Sequence, residues 1–227
     1  MSQREQAPEL ICDLLQKKRS LDREELSARW VAKALGQTTG VIYHHWGSFD
    51  GFLLEVSGIG WERLVSFVFD AYQKEPLPRT IARSYVDFAI AYPVLYWLLA
   101  ERPLPREVVR AKLDAGEGLP SFPAFARFLG LIGEVDSTLT IADARALHAA
   151  AHGLASQMLS GRLVSTPDVK DRDVREVAYE VADAIADRML KGSSQGTRRS
   201  QDRDQTAADP TSPTKTRRRT SGERGRR

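Results

Sequence analysis

The sequence predicts an all-α protein, with a three-helix unit at the N-terminus and a larger helical domain after it. Between Val31 and Leu54 the chain reads as helix, tight turn, short helix, turn and helix, and Gly36 can end the first of these in a left-handed conformation. Beyond this stretch, apolar residues recur every three or four positions up to residue 191. We therefore divide the chain into residues 1–50, residues 51–191 and a tail of residues 192–227.

The first two helices are predicted from an apolar face and a capping signal. Residues 7–18 form a helix whose apolar face comprises Leu10, Ile11, Leu14 and Leu15. Asp22 and Glu25 resemble a capping box, which would open a second helix ending near Leu35. Trp30 either packs against the first helix or lies at the surface.

The third helix, Thr39–Trp46, is too short to be stable alone. Thr38 is predicted to cap it, and Ile42 and Trp46 lie one turn apart and face the core. A helix supported from behind in this way presents its other face outward. This arrangement is typical of a helix-turn-helix unit, in which the exposed helix enters the major groove of DNA.

The run VAKALGQTTGVIYHHWGSFDGFL, residues 31–53, resembles the DNA-binding signature of the TetR family of transcriptional regulators. The matching positions are Val31, Ala32, Gly36, Thr38, Gly40, Tyr43, His45, Trp46 and Ser48. Phe49 stands where the family usually has a lysine that contacts the phosphate backbone, and Gln37 replaces a usually apolar turn residue. The resemblance implies an N-terminal helix-turn-helix DNA-binding domain followed by a helical ligand-binding and dimerisation domain.

The predicted DNA contacts lie on and beside the third helix. The candidates for base edges and phosphates are Thr38, Thr39, Val41, Tyr43 and His44. His45 is either structural or at a phosphate. Ser27 and Arg29 are predicted to contact the DNA backbone.

The fourth helix is predicted to begin at a capping Ser48 and to end near Tyr72, with Trp61, Leu64, Val65, Val68, Phe69 and Tyr72 on its apolar face. Gly58 and Gly60 lie inside it, although a glycine lowers helix stability by about 1 kcal/mol relative to alanine. Two interpretations remain open. The glycines permit close packing or a short break, or they form a bend between the two domains.

The second domain contains six further predicted helical segments. They cover residues 79–92, an apolar and hence central segment from Pro93 to Glu101, one short helix within 102–121, residues 122–132, and a helix from a Thr140–Asp143 capping box to Val164, ended by Pro167. A last helix covers 172–190.

The apolar seams of the last two helices are predicted to form a four-helix dimer interface, through Leu147, Ala151, Leu154, Met158, Val177, Val181 and Ile185.

The strings AYPVLYWLLA and HAAAHGLASQMLSG resemble a variety of TetR C-terminal domain that contains His-Pro-x-Leu-Tyr and Trp-x-x-x-His-Gly. Periodicity alone favours a solid core for the aromatic residues of this domain, whereas the resemblance favours a ligand pocket formed by some of them. The predicted ligand-binding residues are Trp61, Tyr85, Phe88, Tyr92, Trp97, Phe122, Phe125 and His152.

Several classes of protein are excluded or disfavoured. The single cysteine, Cys12, cannot form an intramolecular disulfide, and it is either a small apolar residue of the first helix or a reactive thiol. His148 and His152 lie four residues apart, but no further metal ligand is evident nearby, so we expect neither a metal nor a cofactor.

No catalytic motif is recognisable, so we expect no enzyme activity. Without a signal peptide or membrane span, we expect a soluble cytoplasmic protein.

The tail from Gly192 onward carries ten basic and four acidic residues and scarcely an apolar side chain. Such a composition predicts disorder. The tail is either a nucleic-acid-binding arm or a solubilising segment.

The sequence thus predicts a homodimeric, ligand-responsive transcriptional regulator, a repressor that a small-molecule inducer releases from its double-stranded DNA operator. An alternative is a TetR-like helical dimer that binds a protein partner or a lipid-like ligand without sequence-specific DNA binding.

Overall fold

The computed structural model describes residues 3–21, 25–135, 139–163 and 172–188, and within these ranges every regular element is a helix. The helices are α1 (Gln3–Lys17), α2 (Ala28–Ala34), α3 (Thr39–Trp46), α4 (Phe49–Lys74), α5 (Pro78–Ala91), α6 (Pro93–Tyr96), α7 (Arg106–Asp114), α8 (Phe122–Val135), α9 (Ile141–Leu159) and α10 (174–188). The predicted all-α class is confirmed. No described helix is long and apolar enough to cross a membrane.

The N-terminal helices pack around one small core, but two sequence predictions about them are wrong. On α1 only Ile11 and Leu15 are fully buried, while Leu10 is 53% exposed and Leu14 is 37% exposed. Helix α2 begins later than predicted, because Glu25 lies in a turn and Ser27 is the capping residue: its Oγ accepts a hydrogen bond from the Trp30 amide at 3.3 Å. Residues 22–24, including the predicted Asp22 cap, lie outside the described residues.

The turn between α2 and α3 depends on Gly36, as predicted. Gly36 has a φ of 63°, its amide donates to the Lys33 carbonyl at 3.2 Å, and the Gln37 amide donates to the Ala32 carbonyl at 2.8 Å. These two hydrogen bonds form a Schellman motif, which satisfies the last carbonyls of α2. Thr38 stands at the N-cap of α3, but its side chain makes no capping hydrogen bond.

Helix α4 is continuous over 26 residues and begins at the predicted cap, where Ser48 Oγ accepts from the Gly51 amide at 2.9 Å. A methyl group on Gly58 would lie 2.5 Å from Pro120 Cβ, and one on Gly60 would lie 2.5 Å from a Leu99 methyl carbon. Of the open interpretations, close packing is the one that these contacts support, and α4 has no break at either glycine. Phe69, predicted on the apolar face, is 37% exposed.

The segment after Pro93 is central, as its composition predicts: Leu95, Tyr96, Leu98 and Leu99 are buried. After α6 the chain continues as a π-helix, Trp97–Glu101, which closes with a hydrogen bond from the Arg102 amide to the Trp97 carbonyl at 2.9 Å. Such π-helical turns are rare and occur frequently at functional sites.

Helix α9 begins at the predicted capping box. The Asp143 amide donates to Thr140 Oγ1 at 3.2 Å, and the Thr140 amide donates to Asp143 Oδ2 at 2.8 Å. The helix ends at Leu159, earlier than the predicted Val164, because Gly161 adopts a φ of 70° and its amide donates to Met158. Val164 and Pro167 lie outside the described residues, as does the tail 192–227.

Helix α10 packs on α5 through polar contacts. Arg83 pairs with Asp183, Arg175 lies 2.6 Å from Asp87, and the Tyr179 hydroxyl donates to Asp87 at 2.7 Å. These contacts attach the last helix to α5, on which α9 also packs.

Candidate DNA-binding surface and sensor core

The outward face of α3 carries polar and aromatic side chains on a firmly packed helix. Thr38, Thr39, Tyr43 and His44 are exposed, and 51% of Tyr43 is accessible to solvent. On the opposite face Ile42 is fully buried, and the ring of Trp46 contacts that of Phe52 edge-on with centroids 4.8 Å apart. The core thus holds α3 rigidly and leaves its first turns open to a partner.

Other predicted DNA-contact residues occupy less exposed positions. Val41 and His45 are half-buried and line a cleft of about 180 Å³ between α3 and α1. Arg29 is exposed, whereas Ser27 is half-buried and caps α2. Phe49, at the position where the family has a lysine, packs half-buried against the core.

Ion pairs and hydrogen bonds tie the N-terminal unit to the rest of the subunit. Arg63 of α4 lies 2.7 Å from Asp13 of α1, and its guanidinium also donates to Gln16 at 2.5 Å. Arg102, directly after the π-helix, lies 2.5 Å from Asp50 at the start of α4. These contacts join α4 to α1 and join the start of α4, directly after α3, to the residue that follows the π-helix.

Two buried tyrosines and two half-buried histidines form a polar group between α5, α6 and α9. The Tyr85 hydroxyl lies 3.4 Å from His148 Nε2, and the Tyr96 hydroxyl lies 2.7 Å from His152 Nδ1. The two tyrosine rings contact each other edge-on at 5.9 Å. Three further rings surround His148 at 5.5–5.7 Å: Trp61, Phe125 and Phe128. We call these seven residues the sensor core.

Burial sets the charge state of three of these side chains. It raises the pKa of both Tyr85 and Tyr96 well above the usual value. It also lowers the pKa of His148 to about 4, with a smaller contribution from neighbouring His152. Both tyrosines and His148 are therefore uncharged at neutral pH, and such groups suit a ligand with neutral hydrogen-bonding atoms.

Only half of the predicted ligand residues meet in the sensor core, namely Trp61, Tyr85, Phe125 and His152. Phe88 and Tyr92 pack with Phe67 in a separate aromatic cluster, at 5.7 and 6.3 Å from the Phe67 ring respectively. Trp97 lines a surface cleft, and Phe122 is 49% exposed.

Sequence reasoning missed Tyr96, Phe128 and His148 as members of the sensor core. Signals for two of them were present: Tyr96 lies in the family-like string after Pro93, and His148 precedes His152 by one helical turn. Among the described residues, no group of three or more His, Cys, Asp and Glu side chains could hold a metal ion. Cys12 is fully buried, and burial raises the pKa of its thiol to about 12.

The predicted dimer seam lies largely inside the subunit. Leu147, Ala151 and Leu154 are at most 5% exposed in the single chain, and Met158 is half-buried against the same core. On α10, Val177 is buried, Ile185 is half-buried and Val181 is 37% exposed. The outward face of α9 instead carries small residues, and a methyl group added to Gly153 would meet no atom within 4 Å. This face, which we call the α9 outer face, comprises Ala142, Ala146, Ala149 and Gly153.

Residues 79–189 match the family model described as the tetracyclin repressor-like C-terminal domain. The chain belongs to the TetR family. Within that TetR domain, the predicted Trp-His-Gly variety stays a prediction. No curated protein sequence matches the chain significantly.

Solved structures share the TetR fold at low identity. A Rhodococcus sp. RHA1 protein of unknown function is 20% identical, with 85% of this chain and 95% of that chain covered and a TM-score of 0.54. A TetR transcriptional regulator from Rhodococcus sp. RHA1 is 16% identical, with 81% and 94% covered and a TM-score of 0.51. At these identities the similarity shows the common all-helical fold.

Proposed function

We propose that this TetR-family chain is a ligand-responsive, DNA-binding transcriptional regulator, and specifically a homodimeric repressor that a small-molecule inducer releases from its operator. The observation that carries the proposal is the geometry of α3. Its first turns expose Thr39, Tyr43 and His44, while Ile42 and Trp46 hold it from behind. A polar helix face supported in this way fits the major groove of double-stranded DNA.

The side chains on this face of α3 and on the neighbouring helix α2 can make two kinds of contact with DNA. Hydroxyl and imidazole groups of Thr39, Tyr43 and His44 can reach base edges and thereby distinguish sequences. Arg29 and Lys33, both exposed on α2, can neutralise phosphates and thereby add affinity that does not depend on sequence.

The sensor core is the proposed inducer site. The side chains of Tyr85, Tyr96 and His148 are uncharged and the walls are aromatic, so the matching ligand is a largely apolar molecule with neutral hydrogen-bonding groups. Because these side chains are packed against one another, an inducer must displace some of them and thereby shift α4 or α6. Arg63 and Arg102 couple such a shift to α1 and to the start of α4. A ligand that favours the shifted form would weaken DNA binding.

The α9 outer face is the proposed core of the dimer interface. Small side chains allow two helices to approach closely across a two-fold axis, and a methyl group added to the half-buried Gly153 would meet no atom of its own subunit within 4 Å. Apolar residues at the exposed edge of α10, such as Val181, can extend this interface.

One observation favours the alternative of a dimer without sequence-specific DNA binding. The half-buried Phe49 leaves the first turn of α4 without the cation that the family usually has there. That alternative predicts only salt-sensitive binding with no sequence preference.

Selection of binding sites from random-sequence DNA by the full chain distinguishes these functions. The proposed regulator selects an inverted repeat whose half-sites lie about one helical turn, roughly 34 Å, or somewhat more apart. A pool that remains random after repeated rounds, although DNA is retained, would contradict the proposed function and support the alternative.

A further inference from the structure

The basic residues of the tail are concentrated in one part of it. Residues 192–214 carry three basic and three acidic side chains, and every other residue there is Gly, Ala, Ser, Thr, Gln or Pro. Residues 215–227 carry seven basic side chains and one acidic side chain, Glu223, which gives a net charge of +6. We call these two parts the spacer and the basic segment. A segment that only improves solubility does not need this separation of charge, so the separation favours binding to a polyanion.

The contacts between α10 and α5 show where the tail leaves the subunit. Arg175 and Tyr179 of α10 contact Asp87, whereas Asp183 contacts Arg83, so the two helices are antiparallel. The described part of α10 ends at residue 188, beyond Asp183. Its C-terminal end therefore lies beside the first turn of α5.

The first turn of α5 lies far from the recognition helix α3. Helix α4 follows α3 directly and is joined to α5 by the short turn at residues 75–77, so α5 begins at the far end of α4. The 26 residues of α4 span about 39 Å. The other end of α5 lies near the N-terminal unit, because Arg19 donates to the carbonyls of Ile90 at 3.2 Å and Ala91 at 2.8 Å. The tail thus starts at the end of the subunit opposite to α3.

The length of the spacer limits where the basic segment can bind. Residues 189–214, between α10 and the basic segment, number 26. A flexible chain of this length has an average end-to-end distance of about 25–31 Å, which is less than the length of α4. DNA bound by α3 lies beyond that distance from the start of the tail. A duplex that approaches the opposite end of the subunit lies within it.

We propose that the basic segment binds a second stretch of double-stranded DNA, so that one regulator bridges two duplexes. This proposal rests on the proposed function, because α3 has to hold the first duplex. Duplex DNA carries one negative charge per about 1.7 Å of its axis, and cations that neutralise its phosphates release counterions. Binding by the basic segment is therefore independent of DNA sequence and sensitive to salt.

The first test is capture of a second duplex. The selected operator is attached to beads and saturated with the full chain, and a labelled duplex of unrelated sequence is added at about 50 mM salt. We expect capture of the labelled duplex. A variant in which Lys215 and the six arginines of the basic segment are replaced by glutamine should stay on the beads but capture about tenfold less. Replacement of the same arginines by lysine is the matched control, and it should preserve capture because it preserves charge.

A second measurement does not require α3 to recognise a sequence. Fluorescence anisotropy with the unrelated duplex gives the slope of log affinity against log salt concentration. This slope should be steeper by about six for the full chain than for the glutamine variant, since each neutralised phosphate contributes about 0.9. Failure of the full chain to stay on operator beads would contradict the proposed function. The capture comparison is then made with the unrelated duplex on the beads.

Three results would overturn the proposal of a bridging tail. The first is equal salt slopes, or equal capture, for the full chain and the glutamine variant. The second is a tenfold or larger loss of affinity of the glutamine variant for the operator duplex alone, roughly the loss of several phosphate contacts, because the basic segment would then bind the same duplex as α3. The third is release of the captured duplex by single-stranded RNA at a lower concentration than by unlabelled duplex, which would make RNA the partner.

Discussion

Gly58 of α4 lies directly against Pro120, so closely that a methyl group on Gly58 would be 2.5 Å from Pro120 Cβ and 2.9 Å from its carbonyl carbon. The glycine therefore allows the segment before α8 to pack onto α4. Since α4 is continuous through this point, Gly58 is a packing residue of the core. A bend between the domains is not needed to explain it.

Gly58→Ala should lower the free energy of unfolding by about 1–3 kcal/mol, because the added methyl group meets backbone as well as side-chain atoms and forces the packed segments apart. Urea denaturation at fixed protein concentration measures the change. The matched control is Gly130→Ala in α8, where an added methyl group meets no atom within 4 Å. That variant should gain about 0.5–1 kcal/mol from helix propensity. Equal effects of the two substitutions would contradict the packing role.

Gly153→Leu should convert the proposed dimer to a monomer, because a large side chain on the α9 outer face prevents close approach of a second subunit. The single subunit should stay folded, since the position is open within it. Sedimentation equilibrium and circular dichroism measure the two properties. Ala111→Leu, on the exposed surface of α7, is the control and should leave the dimer intact. A dimeric Gly153→Leu variant would place the interface on another face.

Stability should fall as the pH decreases from about 6.5 towards 4, in part because of His148. The folded protein holds the pKa of His148 at about 4, below the ordinary 6.5, mainly through burial. The unfolded chain therefore binds this proton first, and the free energy of unfolding should be about 2 kcal/mol lower at pH 4.5 than at pH 7 from this group alone.

The variant His148→Gln isolates this contribution, because carboxylates titrate equally in both proteins. We expect the difference in unfolding free energy between wild type and variant to shrink as the pH falls through this range. A constant difference from pH 7 to pH 4.5 would show that His148 is accessible to protons in the folded state.

Capping residues in the sequence correctly predict where two of the helices begin. Ser48 and the Thr140–Asp143 pair start their helices as predicted, because a cap needs only residues within one turn. Two predicted helix boundaries are wrong, because a second capping or terminating residue lies close to the predicted one in the sequence. Ser27 rather than Asp22 precedes α2, and Gly161 ends α9 before Pro167 is reached.

The faces of helices were harder to predict, because periodicity identifies an apolar stripe but not the surface that covers it. The stripe of Leu147, Ala151 and Leu154 was assigned to a partner subunit, yet its own subunit covers it. In α1, four neighbouring apolar residues define a stripe wider than the core that α4 and α6 provide, so Leu10 and Leu14 remain exposed. The sensor core is formed by contacts between α5, α8 and α9. These contacts join residues that are distant from one another in the sequence.

Recognition of DNA sequence by α3 can be measured by fluorescence anisotropy with the selected operator and with unrelated DNA across a salt series. The proteins compared are the wild type, the double variant Thr39→Ala with His44→Ala, and Lys33→Gln. We expect the wild type to prefer its operator by roughly a thousandfold or more. The double variant should lose about ten- to a hundredfold of that preference without losing stability, since both side chains are exposed.

Lys33→Gln should weaken binding to both DNAs equally and reduce the salt dependence by about one counterion, as expected for a phosphate contact. A wild type that binds both DNAs equally, or a double variant with undiminished preference, would contradict the claim that α3 is the recognition helix.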